Sequence, residues 1–279
     1  PAMQQLALDN KIEAYILPGG VSSQLMREIG AGRPGLFTHV GLGTVCDPRQ
    51  GGGRMNATAK DDLAEVVQMD GREYLRYKPF PIHVAIVRAS AADEDGNISF
   101  EHEAANLDAQ SLALAARNSG GTVIVQVKER LPRGALKARE VRIPSAWVDA
   151  IVVDPNQQSS YDIPFDSALS GELTGEDRYQ SESEDHAAEK AAAHEAFSER
   201  QAVARRAAGE LFNTEKARPV VNYGVGVPDA VAKLIAARGE QHRIYQTIEH
   251  GTYGGTLMDG VLFGYARNAS AMLDAATQF

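Results

Sequence analysis

Short apolar runs rich in valine and isoleucine alternate along this chain with alanine- and leucine-rich stretches of helical period. The alternation predicts an α/β fold whose mostly parallel sheets are covered by helices. Residues 12–17 read as a strand closed by Pro18-Gly19-Gly20, and Val21, Leu25 and Ile29 then mark one face of a helix over 21–30. Asp70-Gly71, between apolar runs at 66–69 and 74–77, predicts a two-residue hairpin over 65–78. Strands over 82–87 and 122–127 flank a helix over about 104–117, and 147–153 supplies a further strand.

From Asn156 the character changes. Residues 156–160 and 167–185 are polar, acidic and short of β-branched residues, which predicts a linker, disordered in part. A helix follows over about 187–211, then a strand over 219–223, a glycine turn, and a helix that has Pro228 near its start and stops at Arg238-Gly239. The division expected is therefore 1–155, 156–200 and 201–279.

The last apolar segment, with Ile244, Tyr245 and Ile248, runs straight into Glu249-His250-Gly251-Thr252-Tyr253-Gly254-Gly255. A carboxylate at the carboxyl end of a strand, followed by glycines, suits a nucleophile presented beside bare backbone N–H groups. A surface glutamate before an ordinary loop fits the same spacing. Upstream, Asn222-x-Gly224-x-Gly226-x-Pro228 is a strand, turn and helix start, with N–H groups and a positive helix end available to an anion. It lacks the third glycine and later acid of a dinucleotide fingerprint, and a tight turn needed only for packing is the alternative.

The glycine-rich loop from Asp47 to Arg54 places Arg49 and Arg54 where either could meet a phosphate or carboxylate, or simply sit on a mobile surface loop. Asp93-Glu94-Asp95-Gly96-Asn97 lacks the closing glutamate of a calcium loop and reads as a turn. The seven histidines form no ligand pair, so no metal is expected; His186 and His194, eight apart, read as solvated. His250 adjoins Glu249, but neighbouring side chains on a strand point to opposite faces. No Gly-x-Ser-x-Gly elbow is present, which leaves a serine hydrolase without its nucleophile.

Composition narrows the field further. The chain is 279 residues long with 43% hydrophobic content, enough for one or two cores. Of its net charge of −9, residues 171–200 hold −6, and an acidic balance argues against nucleic acid as a partner. The single cysteine, Cys46, excludes an internal disulfide and points to a reducing, cytoplasmic setting; it reads as a packed thiol rather than a reactive one. No run approaches the ~18 apolar residues of a membrane span, so no membrane partner is expected.

Five segments occur in an order that resembles the family I CoA-transferases of the acetate/propionate type, in which two catalytic domains are fused. They are Val40-Gly41-Leu42-Gly43-Thr44 with Asp47-Pro48-Arg49, residues 88–97, residues 118–127, residues 221–228, and the Glu249 segment. The resemblance spans nearly the whole chain apart from about 156–200. It implies two open, mostly parallel-sheet domains, each incomplete here: the C-terminal part of the first in 1–155 and the N-terminal part of the second, with the nucleophile, in 201–279. Members begin before the residue matching Pro1 and continue past Phe279, so the chain reads as an internal piece, weakly active or inactive alone.

The same resemblance makes Glu249 the carboxylate that carries CoA as a glutamyl thioester. It places Asn222, Gly224, Gly226, Gly254, Gly255 and Arg49 about acyl-CoA or its partner carboxylate. It implies no cofactor beyond coenzyme A as substrate, acyl-CoA and small carboxylates such as acetate as partners, and a homo-oligomer. His250, Tyr253 and residues 256–259 depart from the family pattern, which leaves acyl-chain specificity open. An inactive acyl-CoA-binding piece and a thioester hydrolase on the same scaffold are the alternatives.

Overall fold

The computed structural model describes residues 2–161, 163, 165–192 and 198–278. Its first half opens with helices α1 (Ala2–Leu8) and α2 (Gly19–Gly30) and strands β1 (Leu36–Thr38), β2 (Ala64–Met69) and β3 (Arg72–Tyr77). Then come β4 (Val84–Asp93), β5 (Ile98–Ser99), α3 (Ala109–Asn118), β6 (Thr122–Leu131), β7 (Val141–Ile143) and β8 (Ala150–Val153). The second half contains α4 (Ser167–Ser170), α5 (Gly175–Ala192), α6 (Glu199–Leu211), β9 (Val220–Asn222), α7 (Val227–Ala237) and β10 (Tyr245–Ile248). It closes with β11 (Thr252–Tyr253), β12 (Thr256–Leu257), β13 (Ala266–Arg267), β14 (Ala271–Met272) and α8 (Ala275–Gln278).

The fold is α/β with open sheets, as expected, but the sheets are mixed. A five-stranded sheet runs β7-β5-β4-β6-β8, with β4, β6 and β8 parallel and β5 and β7 antiparallel at one edge. Alternate residues of its central strands (Ala85, Val87 and Ala89; Val123, Val125 and Val127) are buried with Ala113 and Ala116 of α3. The small alanine side chains let α3 lie close to the sheet, so this core depends on valine packing. A second core joins Val21, Leu25 and Ile29 of α2, the predicted face, to Leu75 and Tyr77 of the β1-β3-β2 sheet. The Asp70-Gly71 hairpin is present, and both turn residues have the positive φ that such a tight turn requires (49° and 75°). In the second half, Val231, Ala232 and Ile235 of α7 and Ala204 and Ala208 of α6 pack with Ile244 and Ile248.

Several elements differ from expectation. Residues 12–17 form no strand; only an isolated bridge joins Tyr15 to Arg54, because no neighbouring strand runs beside them. The helix expected from 104 begins at Ala109, since Leu107 takes a left-handed conformation (φ 51°) that ends any upstream helix. Before β8, Pro144 opens a 3-10 turn at Ser145–Trp147 instead of a strand.

Within the stretch read as a linker, the described residues include helices. Residues 175–192 form α5, and a separate helix starts after Ser198, whose hydroxyl accepts from the Gln201 N–H. His194 lies outside the described residues. The α5 helix has too little apolar surface to be held by burial. It is tied by polar contacts instead. Arg267 Nε donates to Asp185 (2.9 Å), its guanidinium also pairs with Asp166, and Asn268 Nδ2 donates to Ser181 (3.0 Å) and Asp185 (2.9 Å). Arg178 donates to the Asn268 carbonyl (2.8 Å) and to Glu182 one turn on (2.7 Å). All these partners sit 80 or more residues away in sequence except Glu182, which is why local composition did not reveal the helix.

Arg267→Met removes the anchor and leaves two carboxylates without their cation. The expected cost is about 1–3 kcal/mol in urea unfolding, with faster amide exchange confined to Gly175–Ala192. Unchanged exchange there would show that α5 is held by something else.

Candidate active site

The site begins with a pairing of two strands. β9 and β10 lie side by side and parallel, with Asn222 opposite Thr247. Parallel neighbours end at the same edge of a sheet, so the turn after Asn222 and the turn after Ile248 open side by side at its carboxyl end, where open α/β sheets bind ligands. A polar tie reinforces the register: Asn222 Nδ2 donates to Thr247 Oγ1 (3.1 Å), which donates to the Val221 carbonyl (3.3 Å). Glu249 is the first residue of the second turn, directly after the fully buried Ile248. Its side chain is half-buried, and among the described residues it makes no hydrogen bond or ion pair. A carboxylate so placed is available to an incoming reactant.

The turn facing it carries the predicted glycines. Gly224 is exposed, and Gly226 precedes α7 with φ 102°, which a side chain would resist. The helix end is not wholly open to a ligand. Pro228 has no N–H, the Asp229 N–H is bonded to the Gly226 carbonyl (3.3 Å), and the buried Asp229 carboxylate pairs with Arg200. Arg200 also donates to the Gly226 carbonyl (2.6 Å), clamping the turn from outside. The N–H groups of Gly224 and its neighbours remain the more accessible donors.

Three glycines follow Glu249, and each answers to a close approach. A β-carbon on Gly251 (φ 94°) would overlap the Leu273 carbonyl, whose own N–H donates to the Gly251 carbonyl (2.8 Å). Gly254 and Gly255 lie against Ser270 and Arg267 in the same way. The Gly254 N–H donates to the Gln246 carbonyl (2.9 Å), so it is engaged in the fold rather than open to an oxyanion. Gly254 and Gly255, with Arg218, Tyr245 and Tyr253, border a cavity of about 440 Å³ that Glu249 does not line. The strand pairing therefore puts the Asn222–Gly226 turn and Glu249 at the same sheet edge, while Gly254 and Gly255 border the separate cavity.

Arg49 is in the first half, and its guanidinium is already engaged. It donates to both oxygens of Asp47 (3.0 and 2.8 Å) and to Glu73 (3.1 and 3.2 Å). Asp47 is fully buried and also accepts from the Arg49 N–H (2.9 Å) and the Gly43 N–H (2.9 Å). The side-chain bonds from Arg49, then the Gly43 N–H, hold its carboxyl well below the usual carboxylate range. The pair shapes the glycine-rich loop from within.

The other candidates resolve simply. Asp93 accepts from Asn97 and Asp95, making the predicted turn. Cys46 is buried, its Sγ donating to the Ile16 carbonyl (3.4 Å). His102 pairs with Glu172 (3.2 Å), and His186 meets Gln241 (2.9 Å). His250 turns away from Glu249 and bonds the Gly264 carbonyl through Nδ1 (2.9 Å). Among the described residues no cluster of three His, Cys, Asp or Glu could hold a metal, and no helix is long and apolar enough to cross a membrane. No local pattern signals the contacts that Leu273 and Arg200 make, because both come from remote segments.

With this geometry established, likeness to known proteins identifies its class. Residues 1–154 match the coenzyme A transferase family, and the chain belongs to it. It is 39% identical over 281 residues to a caffeate CoA-transferase of Acetobacterium woodii, covering 100% of this chain and 51% of that protein. It is 37% identical over 280 residues to the acetate CoA-transferase YdiF of Escherichia coli K12, covering 100% of this chain and 50% of that protein. The crystal structure of the acyl-CoA transferase YdiF of E. coli O157:H7, a thioester complex with CoA, superposes with a TM-score of 0.84 at 34% identity, over 100% of this chain and 49% of that one. The chain thus spans about half the length of the curated relatives it matches.

Two substitutions test this arrangement. Gly251→Ala forces a β-carbon into the Leu273 carbonyl at a positive φ, and a loss of about 2–4 kcal/mol is expected in thermal unfolding. For Asp47, the depressed folded pKa means that its stabilisation is present above the unfolded carboxylate range and is lost as pH falls toward the folded value. The gap in unfolding temperature between wild type and Asp47→Asn should therefore be wide at pH 7 and narrow steadily below about pH 4. A gap that stays constant down to pH 3 would show that the charge plays no part.

Proposed function

We propose that the protein acts in CoA transfer between a short-chain acyl-CoA and a free carboxylate such as acetate, with Glu249 as the nucleophile. The observation that carries this reading is the parallel pairing of β9 with β10. It puts a half-buried carboxylate, without a partner among the described residues, at the same sheet edge as the Asn222–Gly226 turn. The naming of 37–39% identical relatives as CoA-transferases supports it.

In the proposed reaction a Glu249 carboxylate oxygen attacks the thioester carbonyl carbon, and the C–S bond breaks to release CoA thiolate. The product is a mixed anhydride of Glu249 and the acyl group. The thiolate then attacks the glutamyl carbonyl, which expels the first carboxylate and leaves a glutamyl-CoA thioester. An incoming carboxylate attacks that thioester to give a new anhydride and thiolate. Attack of the thiolate on the new acyl carbonyl restores Glu249 and yields the new acyl-CoA. Each intermediate is itself an activated acyl group, an anhydride or a thioester, so the chemistry depends on keeping water out.

Within this scheme the Asn222 side chain holds the register of the two strands, and the glycine turn lets a reactant approach the backbone closely. Arg49 is held by Asp47 and Glu73, and its proposed part is the shape of the loop. We also propose a cytoplasmic homo-oligomer, to be checked by light scattering on the purified protein.

Intact-protein mass after incubation with acetyl-CoA tests the reading. A CoA-sized addition on the peptide holding Glu249, absent in Glu249→Ala, is expected. No addition at saturating acetyl-CoA would remove Glu249 as the carrier within this chain, and release of free CoA without an acceptor would mark a hydrolase instead.

A further inference from the structure

The cavity beside Gly254 and Gly255 lies at the opposite end of the strand pair from Glu249. Arg218 precedes β9 and Tyr245 opens β10, so the cavity sits at the amino ends of the two parallel strands. Glu249 stands past their carboxyl ends, roughly 13 Å from Tyr245 along the strand. Open α/β sheets take their reactants at the carboxyl ends, which leaves this cavity outside the proposed reaction.

Its walls are of two kinds. Ile244, Tyr245, Tyr253 and Ala271 give apolar and aromatic surface, and Arg218 gives a positive charge. Among the described residues no aspartate or glutamate borders it, although the chain as a whole carries a net charge of −9. A volume of about 440 Å³ suits a small organic molecule.

Arg218 is exposed, yet its orientation is set. Its Nε donates to the Ile244 carbonyl (3.0 Å), and its Cζ lies 3.9 Å from the centre of the Tyr245 ring. Among the described residues no carboxylate pairs with it, and its Nη1 and Nη2 make no hydrogen bond. Four N–H donors are therefore left, in a planar fork that matches a carboxylate or a phosphate. Neighbouring side chains are settled too. His242 turns Nδ1 to the Gly239 carbonyl (3.1 Å), Ser270 Oγ donates to the Tyr253 carbonyl (3.0 Å), and Gln246 Nε2 donates to the Gly255 carbonyl (3.1 Å). A ligand would meet a cavity already formed, with little side-chain ordering left to oppose binding.

We propose that this cavity is an accessory binding site for a small aromatic oxyanion. The carboxylate or phosphate meets the Arg218 fork, and the ring lies among Tyr245, Tyr253 and Ala271. The site is distinct from that of Glu249 and does not depend on the transferase reading.

Calorimetric titration of the 279-residue chain with benzoate, adenosine monophosphate and inorganic phosphate tests the assignment. Benzoate presents a carboxylate on a ring and the nucleotide presents a phosphate, so the tighter of the two shows which oxyanion the site prefers. Inorganic phosphate has the charge without the ring and should bind about tenfold more weakly than the better probe. Arg218→Gln should weaken that probe about tenfold or more, and Arg218→Lys, which keeps the charge without the fork, should fall between. Ala271→Trp keeps Arg218 but fills the cavity, and should abolish binding. Glu249→Ala should bind as the wild type does. Thermal unfolding followed by circular dichroism confirms that each variant is folded. The site is overturned if neither aromatic probe binds, if inorganic phosphate binds equally well, or if Arg218→Gln and Ala271→Trp leave binding untouched. Loss of binding in Glu249→Ala would place the probe at the nucleophile and overturn it as well. The titration involves no acyl transfer. A wild-type chain that forms no adduct on Glu249 would thus count against the transferase reading alone.

Discussion

The parallel pairing of Val220–Asn222 with Tyr245–Ile248 is the constraint on which the rest of the site depends. Because side chains alternate along a strand, a slip of one residue would send Asn222 and Thr247 to opposite faces and break the bond between them. The register also decides that two turns distant in sequence open at one edge. Everything argued about Glu249 follows from that: its neighbours, its half-buried position and the glycine turn opposite it. The buried cluster of Ile248, Ile244, Val231 and Ile235 supports the pairing from below, so the geometry of the edge is backed by apolar packing.

Polar contacts have a different part. In three places a carboxylate answered by an arginine shapes a segment: Asp47 in the glycine-rich loop, Asp229 at the head of α7, and Asp185 under Arg267. Each is largely buried and answered by a guanidinium, so its removal would leave an unpaired charge rather than a simple gap. The basic loop that invited a ligand reading is better understood this way, since Arg49 is engaged by carboxylates of its own chain.

How far the sequence reveals this can be judged residue by residue. The α2 face, the Asp70-Gly71 hairpin and the strand leading to Glu249 were readable because the information is local: a period of about four, a turn dipeptide, a run of apolar residues closed by glycine. The α5 helix was not readable, because its anchors Arg267 and Asn268 lie at and just after the end of a distant strand and its own residues look like linker. Residues 12–17 failed for the opposite reason. They have a strand's composition, but a strand needs a neighbouring strand, and residues 53–55 meet them through a single isolated bridge. Glu249 and the Asn222–Gly226 turn could be picked out separately; their meeting depended on a pairing that no local pattern specifies. Gly254 and Gly255 drew attention as possible ligand contacts, whereas the close approach of Ser270 and Arg267 explains why glycine stands there.

The seam between the halves joins residues far apart along the chain: Asn106 with Met272, 166 positions away, and Arg27 with Ala276, 249 positions away. The tie between β9 and β10 spans only 25 or 26. Loop-closure entropy grows with the logarithm of such separations, so drawing the seam together costs about 2 kcal/mol more than drawing the strand pair together. The strand pair can form early from nearby chain, whereas the seam must wait until both halves have taken shape. On the return path the order reverses. The seam is where the molecule can come apart first, with the strands that carry Glu249 still paired.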